Sequence, residues 1–163
     1  MEESLIPPEA KAMIGQSAGK KTGIVHSKEA RRFAAAVGDL NPLYFDDEAA
    51  REQGYKGAIA PPMFLPQVLN GVSTLDSLRE DGVPVEGGSD IPLRAQHLMA
   101  GGENYEFLAP LYPGDTITAE THIQNIEEKS GRSGNFVLVT RETVYTNQDG
   151  VTVARGRFSV IAR

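Results

Sequence analysis

An apolar segment with no polar side constrains this chain more than any other feature. Between Ala58 and Val72, the residues Ile59, Met63, Phe64, Leu65, Val68, Leu69 and Val72 fall on most sides of a helix, and a helix that is apolar all round has to be buried all round. Pro61 and Pro62 suit its first turn, while Pro66 either delays the start or kinks it. From His97 onward the period changes to two. Strands are predicted at roughly His97–Ala109, Asp115–Ile126, Asn135–Thr146 and Val151–Ala162. The turns between them, Pro113-Gly114-Asp115, Ser130 to Gly134 and Asn147 to Gly150, predict an antiparallel meander. On the second strand Ile117, Ala119, Thr121 and Ile123 share one side, with Thr118, Glu120, His122 and Gln124 on the other. One face is apolar and one wet, as in a sheet wrapped around a single buried helix.

That combination is an α+β architecture of the hot-dog type, an antiparallel sheet around a long central helix; a generic α+β roll is the second possibility. At 163 residues the chain fits one domain. Residues 1–20, with Pro7, Pro8, Gly15 and Gly19 and weak periodicity, read as an N-terminal arm, and 21–163 as the domain. Thr22–His26 is a candidate first strand. Ser27 is a candidate N-cap for a helix whose apolar face is Ala30, Phe33, Ala34 and Val37, and Gly38 ends it. After the Asn41-Pro42 break, Asp46 or Asp47 caps a second short helix through Glu48–Gln53, closed by Gly54. Residues 73–96, rich in Gly, Pro and acid, read as a long surface loop of the kind that covers a site.

Composition excludes several functions. Sixteen basic against twenty-two acidic side chains give a net charge of -6, which provides no field for nucleic acid or an anionic membrane. No stretch approaches the roughly 20 apolar residues of a membrane helix, and the first residues lack a basic and then apolar leader. A cytoplasmic protein is expected. Zero cysteines remove disulfides, thiolate catalysis and cysteine zinc sites. His26, His97 and His122 are not spaced as a metal pair, so no metal is expected. His97 and His122 fall on predicted strands and read as surface or edge histidines. Gly87-Gly88 and Gly101-Gly102 lack the context of a phosphate loop and read as a flexible loop and a strand bulge. Lys129, Arg132, Arg155 and Arg157 could meet phosphates, but scattered basic residues on a sheet are usually solvated.

The chemistry concentrates in Gly38-Asp39-Leu40-Asn41-Pro42-Leu43-Tyr44-Phe45-Asp46 and in Gly54 to Phe64. These stretches resemble the hydratase motif of MaoC-like dehydratases, the family of (R)-specific enoyl-CoA hydratases and 3-hydroxyacyl dehydratases. Asp39, Asn41 and Pro42 match the first element and Ile59 and Met63 the second. The resemblance continues through Gly101 to Phe107, Pro113 to Asp115 and Thr146 to Gly150, and is similar to the N-terminal type of MaoC domain, found in the substrate-binding subunit of heterodimeric hydroxyacyl dehydratases. It implies an acyl-CoA or acyl-carrier thioester as ligand, a homodimer or a heterodimer with a homologous hot-dog subunit, and no redox cofactor or metal.

Two departures bear on catalysis. Tyr44 stands where the family has its catalytic His, and a phenol with a pKa near 10 is a poor general base. Pro62 stands where the family has a glycine whose N–H faces the thioester oxygen, and proline has no N–H to give. The Met63 N–H could replace that donor through a small shift. Asp39, Tyr44 and Asn41 are thus the catalytic candidates, with Pro62, Met63 and Phe64 against the substrate. Residue by residue, other roles stay open: Asp39 could form an Asx turn holding the Asn-Pro corner, Asn41 could be a turn-former, and Tyr44 could be packing.

Four functions follow. The chain could bind the thioester while a partner with an intact Asp/His pair adds or removes water; it could be a self-sufficient hydratase using Asp39 and Tyr44; it could bind acyl thioesters without chemistry. A thioesterase is disfavoured because Ala58–Val72 contains no Asp or Glu.

Overall fold

A computed structural model describes residues 4–70, 74–78, 80, 91–95, 97–132 and 134–163. Among the described residues, four short α-helices, α1 (Pro8–Lys11), α2 (Ser27–Ala36), α3 (Asp47–Glu52) and α4 (Leu65–Leu69), accompany five strands: β1 (Ser17–Ile24), β2 (Leu98–Phe107), β3 (Thr116–Gly131), β4 (Gly134–Thr146) and β5 (Thr152–Ala162). The strands form one antiparallel sheet in the order β1-β3-β4-β5-β2. This is the hot-dog fold.

The sheet is not a four-strand meander. β3, β4 and β5 follow one another as hairpins, but β2 pairs with β5 at the far edge, from Leu98↔Ala162 to Phe107↔Ala154. The Pro113-Gly114-Asp115 turn therefore ends a crossover, not a hairpin. Its backbone is held elsewhere: Gly114 N–H donates to Val25 O at 2.8 Å, and Ala60 N–H to Leu111 O at 2.7 Å. These bonds tie the connection to the residue after β1 and to the segment before α4.

Period-2 burial is clearest on β3, where Ile117, Ala119 and Ile123 are buried. The register shifts between Ile123 and Asn125, so the next buried residue is Ile126, three positions on. A second shift falls between Ala100 and Gly102, whose φ of 140° a side chain would resist; Gly101-Gly102 is the expected strand bulge. β1 begins at Ser17, earlier than the expected Thr22; of its first four residues only Ala18 is even half-buried, which leaves no apolar alternation to mark the start.

The central helix is shorter than Ala58–Val72. A 3-10 turn over Pro62–Phe64 leads into α4, whose N1/N2 proline is Pro66, and Asn70 is already extended. Pro66 has no N–H for an interior helical bond, so the α-helix starts beside it. Residues 71–73 and most of the expected 73–96 loop lie outside the described residues. Phe64 and Leu65 are buried with Ile117, Ala119, Tyr145, Val153 and Ala154, and Val68 and Leu69 pack at the margin of that cluster. A second cluster joins Ile123, Ile126, Val137 and Val139 to Ala10 of α1 and to Leu5, Ile6 and Met13, so part of the expected arm lies on the sheet.

The helices before the centre follow their local signals. His26, not Ser27, is the N-cap residue of α2, without a side-chain cap bond, and Gly38 closes the helix at φ 75°. Asp46 caps α3, its Oδ1 accepting Glu48 N–H at 2.8 Å and Ala49 N–H at 3.3 Å.

Candidate active site

Two successive side-chain turns build the Asp39–Tyr44 corner. Asp39 Oδ1 accepts the Asn41 N–H at 3.3 Å, and Asn41 Oδ1 accepts the Leu43 N–H at 3.1 Å. Pro42–Tyr44 then make a single 3-10 turn, closed by Tyr44 N–H donating to Asn41 O at 3.0 Å. The turn drives Tyr44 inward. Its ring is buried with Ala34 and Ile59, and Leu43, Phe45, Tyr55 and Tyr112 pack around it.

Burial is the largest influence on the Tyr44 phenol and raises its pKa above the ordinary value of 10.0; the charge of Asp39 and a hydrogen bond to its carboxylate raise it further. Tyr44 and Asp39 therefore share one corner. Tyr44 is a proton donor at neutral pH and cannot take a proton there as histidine would. Asn41 acts through its turn bond, and Asp39 serves both the turn and the phenol.

The second motif element is stitched beside the first. Ala58 N–H donates to Asp47 Oδ1 at 2.8 Å, Ile59 N–H to Leu43 O at 2.9 Å and Ala60 N–H to Leu111 O at 2.7 Å. After these bonds come Pro61 and Pro62, neither of which has an N–H. Met63 brings the first backbone donor of the helical turn, and its side chain is 46% exposed. Phe64 points into the core, its ring centroid 5.6 Å from that of Phe33.

Two clefts adjoin this element. A small apolar one of about 40 Å³ is lined by Ile59, Pro62, Leu65, Phe107 and Val153, among others. Since Ile59 also packs on Tyr44, the apolar cleft and the Asp39–Tyr44 corner share a wall. A larger, open cleft of about 680 Å³ lies between α2, the Lys56–Ala58 stretch and the Asn147–Val151 turn. It shares Ala109 and Pro110 with the apolar one.

The three histidines sit elsewhere. His26 precedes α2, a 10-residue helix that puts it about 15 Å from the Asp39 end. His97 exchanges backbone bonds with Arg163, and His122 Nε2 lies 3.7 Å from Glu120 Oε1 on β3. Of the basic residues noted in the sequence, Lys129 pairs with Glu127 at 2.9 Å and Arg157 with Glu142 at 3.1 Å. Sequence reasoning missed Arg31, Lys56 and Tyr112, which come from separate segments and line the larger cleft together. It also missed the buried Tyr145, whose ring centroid lies 6.4 Å from that of Tyr105. Among the described residues, no group of three or more His, Cys, Asp and Glu could hold a metal, and no helix is long and apolar enough to cross a membrane.

Comparison with known proteins shows the family and the fold. Residues 12–155 match the model of the family described as FAS1-like, dehydratase domain region. A UPF0336 protein of Saccharopolyspora erythraea is 30% identical over 139 residues, covering 85% of this chain and 81% of that protein. A probable enoyl-CoA hydratase alpha subunit of Thermomonospora curvata is 30% identical over 141 residues, covering 80% of this chain and 42% of that protein. Among solved structures, the ChsH1-ChsH2 complex of Mycobacterium tuberculosis superposes with a TM-score of 0.70 at 20% identity, covering 93% of this chain and 85% of the other. The (R)-hydratase PhaJ1 of Pseudomonas aeruginosa gives 0.64 at 22% identity, with 95% and 84% covered.

Proposed function

Because this chain belongs to the FAS1-like dehydratase-domain-region family, with the hot-dog fold of MaoC-like dehydratases, we propose that it is the thioester-binding subunit of an (R)-specific enoyl-thioester hydratase or 3-hydroxyacyl-thioester dehydratase. A homologous hot-dog subunit supplies the catalytic histidine. The observation that carries this reading is Tyr44 near Asp39: the corner that would activate water holds a phenol that stays protonated, beside a helix start whose cap and first residue, Pro61 and Pro62, lack an N–H. Loss of a general base costs about 10²- to 10⁴-fold in rate, and loss of an oxyanion donor roughly 10²- to 10³-fold.

In this division of labour the chain holds the thioester with its acyl group in the apolar cleft, and the partner's Asp/His pair delivers water to C3 of the enoyl group while C2 takes a proton. The outer edge of β2, at the end of the strand order, supports the partner's place, since an open edge invites another strand. A net charge of -6 and the lack of cysteine suit a cytoplasmic setting.

The test is hydration of crotonyl-CoA, followed by loss of absorbance, with the purified chain alone and with a co-expressed homologue that carries the intact Asp…Asn-Pro…His motif. Activity only with the homologue supports the subunit. The Asp39–Tyr44 contact favours one alternative, a self-sufficient hydratase in which Asp39 acts through water and Tyr44 donates a proton. Activity of the chain alone that disappears in Asp39→Ala would establish that alternative. Silence in both preparations would leave acyl-thioester binding without hydration chemistry.

A further inference from the structure

Three consecutive N–H groups hold the stretch that leads into the central helix, and each is bonded to a different element. Ala58 donates to the Asp47 side chain of α3 at 2.8 Å, Ile59 to the Leu43 carbonyl at 2.9 Å and Ala60 to the Leu111 carbonyl at 2.7 Å. Pro61 and Pro62, which follow, have no donor to add, and a proline ring fixes φ at about −65°, so the pair is stiff. The positions of Pro62 and of the Met63 N–H are therefore inherited from residues 58–60. Two of the three anchors are main chain to main chain. Only the Asp47 anchor belongs to a side chain, so only this one depends on residue identity.

Asp46, not Asp47, caps α3, which leaves the Asp47 carboxylate to reach across to the Ala58 stretch. The space for it is narrow: a Cβ added at Gly57 would stand 3.1 Å from Asp47 Oδ1, and the only atoms it would meet belong to Asp47. Ala58, Ile59 and Ala60 are all buried. Ile59, Ala60 and Pro62 line the apolar cleft, and Ile59 also packs on Tyr44. Asp47 itself does not line that cleft. Resting on the thioester-binding reading, we propose that Asp47 is a positioning residue: it holds the Ala58–Pro62 stretch, and with it one wall of the apolar cleft and the Met63 donor, in the place that acyl binding needs. The role requires an acceptor oxygen and not a charge, and asparagine offers the same Oδ1 acceptor.

The experiment measures dissociation constants of the chain for crotonyl-N-acetylcysteamine, a truncated and uncharged thioester, so that removing a carboxylate does not act on the ligand through charge. Asp47→Ala is expected to weaken binding about fivefold or more, and Asp47→Asn to restore it to within about twofold of wild type. Gly57→Ala presses on the same carboxylate and should weaken binding about threefold, yet add nothing in the Asp47→Ala background, where the oxygen it crowds is gone. Wild-type affinity in Asp47→Ala, an equal loss in Asp47→Asn, or a Gly57→Ala effect that persists without the Asp47 carboxylate would each overturn the role. If Asp47→Ala does not fold, Gly57→Ala decides: weakened binding supports the role and wild-type binding overturns it. A wild-type chain that does not bind the truncated thioester overturns the thioester reading itself, whereas failure of the Asp47 role leaves wild-type binding intact.

Discussion

Burial of the Tyr44 phenol, with the charge of Asp39 beside it, raises its pKa and keeps the Tyr44 proton in place. A phenol at this corner is a proton donor at neutral pH and not a base. Asp39 keeps its position because the turn needs it for the Asn41 N–H, independently of any reaction.

Replacing Tyr44 with histidine should restore a general base beside Asp39. In crotonyl-CoA hydration the Tyr44→His chain alone is expected to gain about 10²-fold or more over wild type, toward the 10²- to 10⁴-fold range of a positioned base. Pro62 limits the gain, because the helix start still lacks its first donors. No gain in a variant of unchanged melting temperature would mean that the corner does not face substrate.

Tyr145 predicts the behaviour in alkali. Burial, then hydrogen bonding to Tyr105, raises its phenol above the ordinary value of 10.0. A group whose pKa is raised by folding stabilises the fold fully below its unfolded value, and that contribution is lost as pH rises above it. Urea denaturation at increasing pH should show stability falling from about pH 10 upward. Tyr145→Phe keeps the ring and removes the titration, so its decline over the same window should be shallower. Identical slopes in the two proteins would contradict a buried phenol.

Gly23 predicts how tightly the central helix sits on the sheet. A Cβ at this position on β1 would collide with the backbone carbonyl oxygen of Val68 in α4, which no rotamer change can move aside. Gly23→Ala should destabilise by about 1–3 kcal/mol, as overpacked cores do, with an unchanged dependence on urea concentration. At Gly156, by contrast, the added Cβ would meet the Tyr105 ring at 2.7 Å, and a side chain can yield. Gly156→Ala should therefore cost less than Gly23→Ala, and the reverse order in urea midpoints would place α4 farther from β1.

Much of the fold was legible because its signals are local. Alternation on β3 shows which face of the strand is buried, and Asp46 and Gly54 bracket α3 through a cap and a positive φ. The motif from Asp39 to Tyr44 was likewise visible, since two side-chain turns and a proline fix that corner within a few residues. Where the long-range partner decides, the pattern was silent. Alternation cannot say that β2 crosses the sheet to pair with β5, because each strand would bury the same face beside either neighbour.

What the sequence alone determined, then, is a buried apolar helical segment, a period-2 sheet and the Asn-Pro corner from Asp39 to Tyr44, all encoded in residues a few positions apart. Tertiary structure decided the strand order, the burial of the Tyr44 phenol near the Asp39 carboxylate, and the gathering of Arg31, Lys56 and Tyr112 around one cleft. Those cleft residues lie on segments whose only common cause is packing. Packing energy depends on the whole chain closing on itself, and no local period records it.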